Sequence, residues 1–91
     1  HSFAGRGLVP EGVVLALRFC FEELVLHRVE AGVIPRNEAS LRVMTKLGLT
    51  PEGVTRGMLE INGTWEDHQR FAMVTEDWVA RREELLSAWV W

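Results

Sequence analysis

The stretch HRVEAGVIPRNEASLRVMTKLGL, residues 27–49, determines the predicted fold because it contains a strand, a stop signal and a capped helix in succession. The segment from His27 to Ile34 is short and β-branched, which is typical of a strand, and Pro35 ends it. Asn37 can cap the following helix, with Glu38 in its first turn. Gly48 suits the position just past the end of that helix. The apolar face of the helix comprises Leu41, Val43, Met44 and Leu47.

Toward the N-terminus, the sequence predicts a loop followed by a second amphipathic helix. Residues 1–9, HSFAGRGLV, carry two glycines around one arginine and are predicted to form the loop. Pro10 suits the first turn of a helix, where its missing N–H costs nothing. We expect this helix to end near Val25. Its apolar positions recur with helical spacing at Val13, Leu17, Cys20, Phe21 and Leu24.

Toward the C-terminus, the sequence predicts a hairpin and a third helix. Residues 54–61 alternate in polarity, Asn62-Gly63 is a strong signal for a two-residue turn, and residues 65–74 return as the partner strand. Thr75 can cap the last helix, which covers residues 75–91. One stripe of that helix carries Trp78, Leu85 and Trp89, and we expect Trp89 at least to contact another part of the protein.

The predicted order is helix, strand, helix, strand, strand, helix, which indicates a mixed α/β (α+β) fold in a single domain over residues 1–91. Three strands flanked by three helices make a thin sheet. We therefore expect another segment or a second chain to complete it.

Composition narrows the function classes. The 91 residues are 47% hydrophobic and 25% charged, with a net charge of −3, which is typical of a globular protein and disfavours a general nucleic-acid binder. The longest apolar run, residues 12–17, is too short to span a bilayer. The single cysteine, Cys20, excludes an internal disulfide and a cysteine-based zinc cage, and the histidines lack metal-ligand spacing. With no recognisable signal peptide, the sequence predicts a cytoplasmic protein.

Three motifs are candidates for chemistry, and each has a structural alternative. The run Gly5, Arg6, Gly7, Leu8 and Val9 before the first helix can bind a phosphate through free N–H groups and the helix dipole, or it can be an ordinary turn. Asn37 and Ser40 can face a ligand or simply cap their own helix.

The third motif is Trp65-Glu66-Asp67-His68. Glu66 and His68 share one face of a strand, so an acid–base role is one interpretation and a polar strand edge is the other. Cys20 lies on the apolar face of its helix and is interpreted as a core residue rather than a nucleophile.

The order of these motifs resembles the C-terminal half of the GNAT acetyltransferase superfamily, and in particular the branch of the ribosomal-protein alanine N-acetyltransferases. The resemblance runs from about Ala4 to Trp78. The motifs that carry it are Gly-Arg-Gly-Leu-Val-Pro-Glu-Gly, His-Arg-Val-Glu-Ala, Pro-Arg-Asn-Glu-Ala-Ser, Lys-Leu-Gly-Leu, Glu-Gly and Asn-Gly-Thr-Trp-Glu-Asp-His.

The resemblance implies transfer of an acetyl group from acetyl-CoA to an amine through a ternary complex. It places the CoA pyrophosphate at the loop from Gly5 to Val9 and the pantetheine arm at Asn37. Ser40 matches the position that protonates the leaving thiolate. Ala4 and Val9 depart from the family pattern, and a bulky Val9 can crowd the loop, for which Arg6 could compensate.

The resemblance does not identify the acceptor, which can be a ribosomal-protein N-terminus, another peptide or a small amine. The family's preceding strands hold much of the amine site. The alternative is therefore a catalytically incomplete module that serves dimerisation or another interaction. A homodimer that completes the sheet is compatible with both hypotheses.

Overall fold

The computed structural model describes residues 2–4, as backbone, and residues 9–91. Its elements are β1 Ser2–Ala4, α1 Pro10–Arg18, β2 Arg28–Val33, α2 Glu38–Lys46, β3 Thr50–Ile61, β4 Thr64–Val74 and α3 Thr75–Trp89, with a π-helical turn Phe19–Glu23 continuing α1. The predicted α+β class and the order from α1 onward are confirmed. The loop predicted for residues 1–9 is wrong in part, because it contains β1. A three-residue strand is too short to show an alternating pattern.

The four strands form one sheet in the order β1-β2-β4-β3. β1 runs parallel to β2, with Ala4 opposite Gly32, while β4 pairs antiparallel with both β2 and β3. The hairpin turn is confirmed, since Asn62 and Gly63 both have positive φ (51° and 80°), as a two-residue type I′ turn requires. Strand β3 begins earlier than predicted, at Thr50, and is interrupted by two register shifts.

One face of the sheet carries the core. The paired residues Val29 and Met73, and Ala31 and Phe71, lie on the same face and are buried against the helices. The predicted helix faces are confirmed, including Cys20 as a core residue. The exception is Leu24, which is 46% exposed because the π-helical turn that precedes it ends the regular helical spacing. Trp89 packs partly buried against this core, with Lys46 Nζ 5.2 Å from its ring centroid. The helical core residues are Val13, Val14, Leu17, Cys20, Phe21, Met44, Leu47, Trp78, Leu85 and Leu86.

The other face carries a charge network across three strands. Glu30 accepts from Arg28 at 3.0 Å and from Arg70 at 2.5 Å, and Glu52 on β3 pairs with Arg28 as well. The guanidinium of Arg28, followed by that of Arg70, holds the pKa of Glu30 below its usual value, and Arg28 does the same to the pKa of Glu52. These pairs join β2, β3 and β4 on the face away from the helices.

Helix α2 begins and ends with the predicted signals. Asn37 is its N-cap, and its Oδ1 accepts the Ser40 N–H at 3.3 Å. At the other end, Gly48 has φ +82°, and the N–H groups of Gly48 and Leu49 donate to the carbonyls of Thr45 and Met44. This is the Schellman arrangement, which requires a residue in the left-handed region at Gly48.

Helix α3 begins differently from the prediction. Its N-cap is Val74, whose N–H donates to Asp77 Oδ2 at 3.3 Å, and Thr75 is already the first helical residue. The Thr75 hydroxyl donates to the carbonyls of Leu26 and His27 instead (2.9 and 3.1 Å). The Thr75 hydroxyl, which the sequence predicts to cap the helix, therefore makes a tertiary contact instead. Within residues 9–91, no helix combines the length and the apolar character needed to cross a membrane.

Candidate functional site

The parallel pair of strands positions the site. β1 and β2 end side by side at Ala4 and Val33, and each leads into a helix that begins on the same side of the sheet, α1 at Pro10 and α2 at Glu38. Ligands of open sheets with parallel strands bind beyond the carboxyl ends of those strands. Two helix N-termini there provide free N–H groups and partial positive charge, which suit an anionic ligand.

A groove of about 570 Å³ runs between the start of α1 and the outer surface of α2; we call it the α1–α2 groove. Pro10 closes one side, Leu41 and Val43 provide apolar surface, and Arg42 and Lys46 place two cations one helical turn apart along it. An apolar wall beside two cations suits a ligand with both a flat apolar part and an anionic group.

The predicted cofactor residues of α2 lie at its first turn. Ser40 is buried, with its N–H bonded to Asn37 as described above. The structural interpretation of Asn37 as a cap is therefore confirmed. Val9 is the N-cap residue of α1 in an extended conformation, its carbonyl accepts the Val13 N–H at 3.1 Å, and its side chain is exposed. The other predicted loop residues, Gly5, Arg6, Gly7 and Leu8, lie outside the described residues.

A second cavity of about 570 Å³ lies on the other side of the α2 N-terminus, against the tip of the β3–β4 hairpin; we call it the hairpin cavity. Ile34 and Ile61 form its apolar walls. Its polar lining residues are Arg36, Asn37, Asn62, Thr64 and Glu66.

An ion pair spans the hairpin cavity. Arg36 Nη1 lies 2.5 Å from Glu66 Oε2, and the carboxylate raises the pKa of the guanidinium. The Glu66 side chain is 15% exposed, while that of Arg36 is 68% exposed. The sequence does not predict this pair, because nothing in the spacing of Arg36 and Glu66 indicates that the β2–α2 turn comes close to β4.

His68 is not part of a polar strand edge, so that interpretation was wrong for this residue. Its side chain is 1% exposed and packs over Gly32, where an added Cβ would lie 3.3 Å from His68 Cδ2. Nδ1 lies 3.0 Å from the Glu66 carbonyl oxygen, and Nε2 has no hydrogen-bond partner among the described residues. The register shifts of strand β3 bring Met58 over the same glycine. This packing explains why His68 is buried, which the alternating polarity of β4 does not predict.

Comparison with known proteins identifies the family. Residues 1–50 match the model of the acetyltransferase (GNAT) domain. The chain belongs to the GNAT acetyltransferase family. Enzymes of this family take their acyl group from acyl-CoA. Acyl-CoA has both an apolar part and anionic groups, which is the kind of ligand that the strand ends and the α1–α2 groove suit.

Several GNAT relatives cover most of the chain. It is 49% identical over 73 residues to the probable N-acetyltransferase YjcK of Bacillus subtilis, covering 80% of this chain and 40% of that protein. It is 35% identical over 82 residues to the ribosomal protein uS5-alanine N-acetyltransferase of Escherichia coli, covering 90% and 42%. The structure of Mycobacterium smegmatis RimJ in complex with CoA-disulfide superposes with a TM-score of 0.75 at 32% identity, covering 88% of this chain and 39% of that one. The chain thus spans about 40% of the length of the curated relatives it matches.

Proposed function

We propose that this chain carries the acetyl-CoA-binding half of a GNAT N-acetyltransferase, as one partial domain over residues 1–91. The observation that carries the proposal is the pair of parallel strands that end beside two helix N-termini, with the α1–α2 groove between those helices. Phosphate groups suit the helix N-termini, and the adenine ring suits the apolar wall of the groove.

The pyrophosphate, the pantetheine arm and the departing thiolate each have proposed partners in this chain. The backbone of Gly5, Gly7, Leu8 and Val9, with the Arg6 guanidinium, binds the pyrophosphate, and Asn37 lies beside the pantetheine arm. Ser40, buried in the first turn of α2, donates a proton to the departing thiolate. A thiolate leaves more readily with a proton donor close by.

The acceptor is proposed to be an amine that attacks the thioester directly. The E. coli relative acts, by its name, on the N-terminal alanine of ribosomal protein uS5, and this supports a protein N-terminus as one acceptor class. Cys20 is buried in the core and is not assigned a covalent intermediate.

The two cations of the α1–α2 groove allow the position of the nucleotide to be tested. Arg42 and Lys46 are the cations of the α1–α2 groove, so we expect them to bind the 3′-phosphate of CoA. The double variant Arg42→Ala, Lys46→Ala should bind CoA about tenfold more weakly, which is the scale of one lost charge-assisted hydrogen bond. Isothermal titration with CoA and with 3′-dephospho-CoA measures this, and the affinity for dephospho-CoA should stay within about twofold. If the double variant bound both ligands equally more weakly, the 3′-phosphate would not be bound by these two cations.

The alternative function is an interaction module without catalysis. Its supporting observation is that β1, at one edge of the sheet, pairs on one side only within the described residues. Edge strands readily pair with another chain. Sedimentation with and without CoA separates the two hypotheses, since a dimer that binds CoA favours the enzyme and a species that binds no CoA favours the module.

A further inference from the structure

The hairpin cavity contains a carboxylate that the proposed cofactor site does not use. Among the lining residues that the structure describes, Glu66 is the one acidic residue, and the oxygen atoms of Asn62 and Thr64 are further hydrogen-bond acceptors around it. Once the Arg36 guanidinium has left the carboxylate, the cavity presents one anion and several acceptor oxygens, which matches a ligand group that only donates. A primary ammonium, with three N–H donors and no acceptor, is such a group.

The two members of the ion pair differ in how firmly they are held. Glu66 lies within the paired part of β4, opposite Leu59, and its carbonyl oxygen is bonded by buried His68. Arg36 lies in the turn between β2 and α2, and its side chain is largely exposed. The backbone that carries the Glu66 carboxylate is therefore fixed, while the exposed guanidinium of Arg36 can turn into solvent.

We propose that Glu66 anchors the primary ammonium of the acceptor and that Arg36 competes for the same carboxylate when the cavity is empty. The inference rests on the proposed function and extends it to the acceptor side. Asn37 lines the hairpin cavity and is also the residue assigned to the pantetheine arm. An amine held in this cavity therefore lies next to the proposed path of the cofactor.

The test is an NMR titration of the ¹⁵N-labelled 91-residue chain with three probes. These are the peptide Ala-Gly-Gly-amide, its N-acetylated counterpart and putrescine, and the readout is the backbone amide signals of Asn62 and Thr64. Both free amines should shift these signals and the acetylated peptide should not. A preference for the peptide over putrescine indicates an N-terminal amine, whereas equal affinity indicates recognition of the ammonium alone.

Two variants should change the affinity in opposite directions. Glu66→Gln should weaken amine binding about tenfold or more, since it removes the charge, whereas Arg36→Ala should strengthen it about threefold by removing the competitor. Glu60→Gln is the matched control, because Glu60 lies on the other face of the same hairpin and is exposed. The Glu60→Gln variant should bind the amines with the same affinity as the wild type.

Three results would overturn the inference: equal binding of the acetylated peptide, no binding of either amine to the wild type, or weaker binding by Arg36→Ala. The Arg36→Ala arm keeps the test decisive even if Glu66→Gln fails to fold. A parallel titration with acetyl-CoA separates this inference from the proposed function. If CoA binds and amines do not, only the acceptor site is wrong, while amine binding without CoA binding contradicts the proposed function alone.

Discussion

Replacing Trp78 by alanine is expected to lower the free energy of unfolding by about 3–5 kcal/mol, the range for truncating a large buried aromatic side chain. Trp78 is 1% exposed and stacks on Phe21, with ring centroids 5.9 Å apart. Its Nε1–H donates to Glu22 Oε2 at 2.7 Å. The substitution therefore leaves a void between α3 and the π-helical turn and removes a donor from a carboxylate.

Glu22 makes the loss of Trp78 more costly. The guanidinium of Arg82 lowers the pKa of this carboxyl, partial desolvation opposes it, and the indole N–H of Trp78 lowers it further. Trp78→Phe keeps the stacking and loses the donor, so a smaller loss of about 1.5–3 kcal/mol is expected, the cost of a hydrogen bond to a charged group.

Urea unfolding followed by circular dichroism measures these changes. Trp91→Ala is the control, because Trp91 is 68% exposed, and its effect should stay within about 0.5 kcal/mol. If Trp78→Ala were no more destabilising than Trp91→Ala, α3 would not be part of the folded core.

The second large effect is expected at Gly48, where Gly48→Ala should destabilise the protein by about 2–4 kcal/mol through two separate causes. The first is backbone strain, because Gly48 has φ +82° at the end of α2. The second is a collision, since an added Cβ would lie 1.6 Å from Arg81 Nη1. That nitrogen donates to the Leu47 carbonyl at 2.8 Å, so moving the guanidinium away costs this bond.

Gly53 separates the two causes. It also has positive φ (+96°), but an added Cβ there would meet nothing within 4 Å. Gly53→Ala should therefore cost only the strain, about 1–2 kcal/mol. In an Arg81→Ala background, Gly48→Ala should cost no more than Gly53→Ala, which denaturation of the four variants would measure. A Gly48 effect that is unchanged by Arg81→Ala would show that the guanidinium contributes nothing.

Most of the fold is predictable because its signals are local. The Asn37 cap, the glycine after α2 and the Asn62-Gly63 turn each require particular backbone angles or one hydrogen bond within a few residues. Strand β1 lacks such a signal, since its three residues are in a strand only because β2 lies beside them. The role of Thr75 is likewise set by a distant contact, because its hydroxyl donates to carbonyls 48 and 49 residues away.

The candidate site is less predictable because it depends on strand register and on the approach of loops. The contact of Arg36 with Glu66 joins residues 30 positions apart across the hairpin cavity, and no spacing rule connects them. The burial of His68 depends on the register shifts of β3, which bring Met58 over the same glycine. Cofactor residues were instead proposed from the family resemblance, and their roles remain predictions.

Isothermal titration of acetyl-CoA into the 91-residue chain directly tests whether the loop before α1 binds the cofactor. Arg6→Ala is titrated alongside, with Arg56→Ala on exposed β3 as the control. We expect binding that Arg6→Ala weakens by about 1–3 kcal/mol, the scale of a charge-assisted hydrogen bond, and that Arg56→Ala leaves unchanged. No heat at millimolar ligand, or equal affinity for the chain and its Arg6→Ala variant, would contradict this expectation.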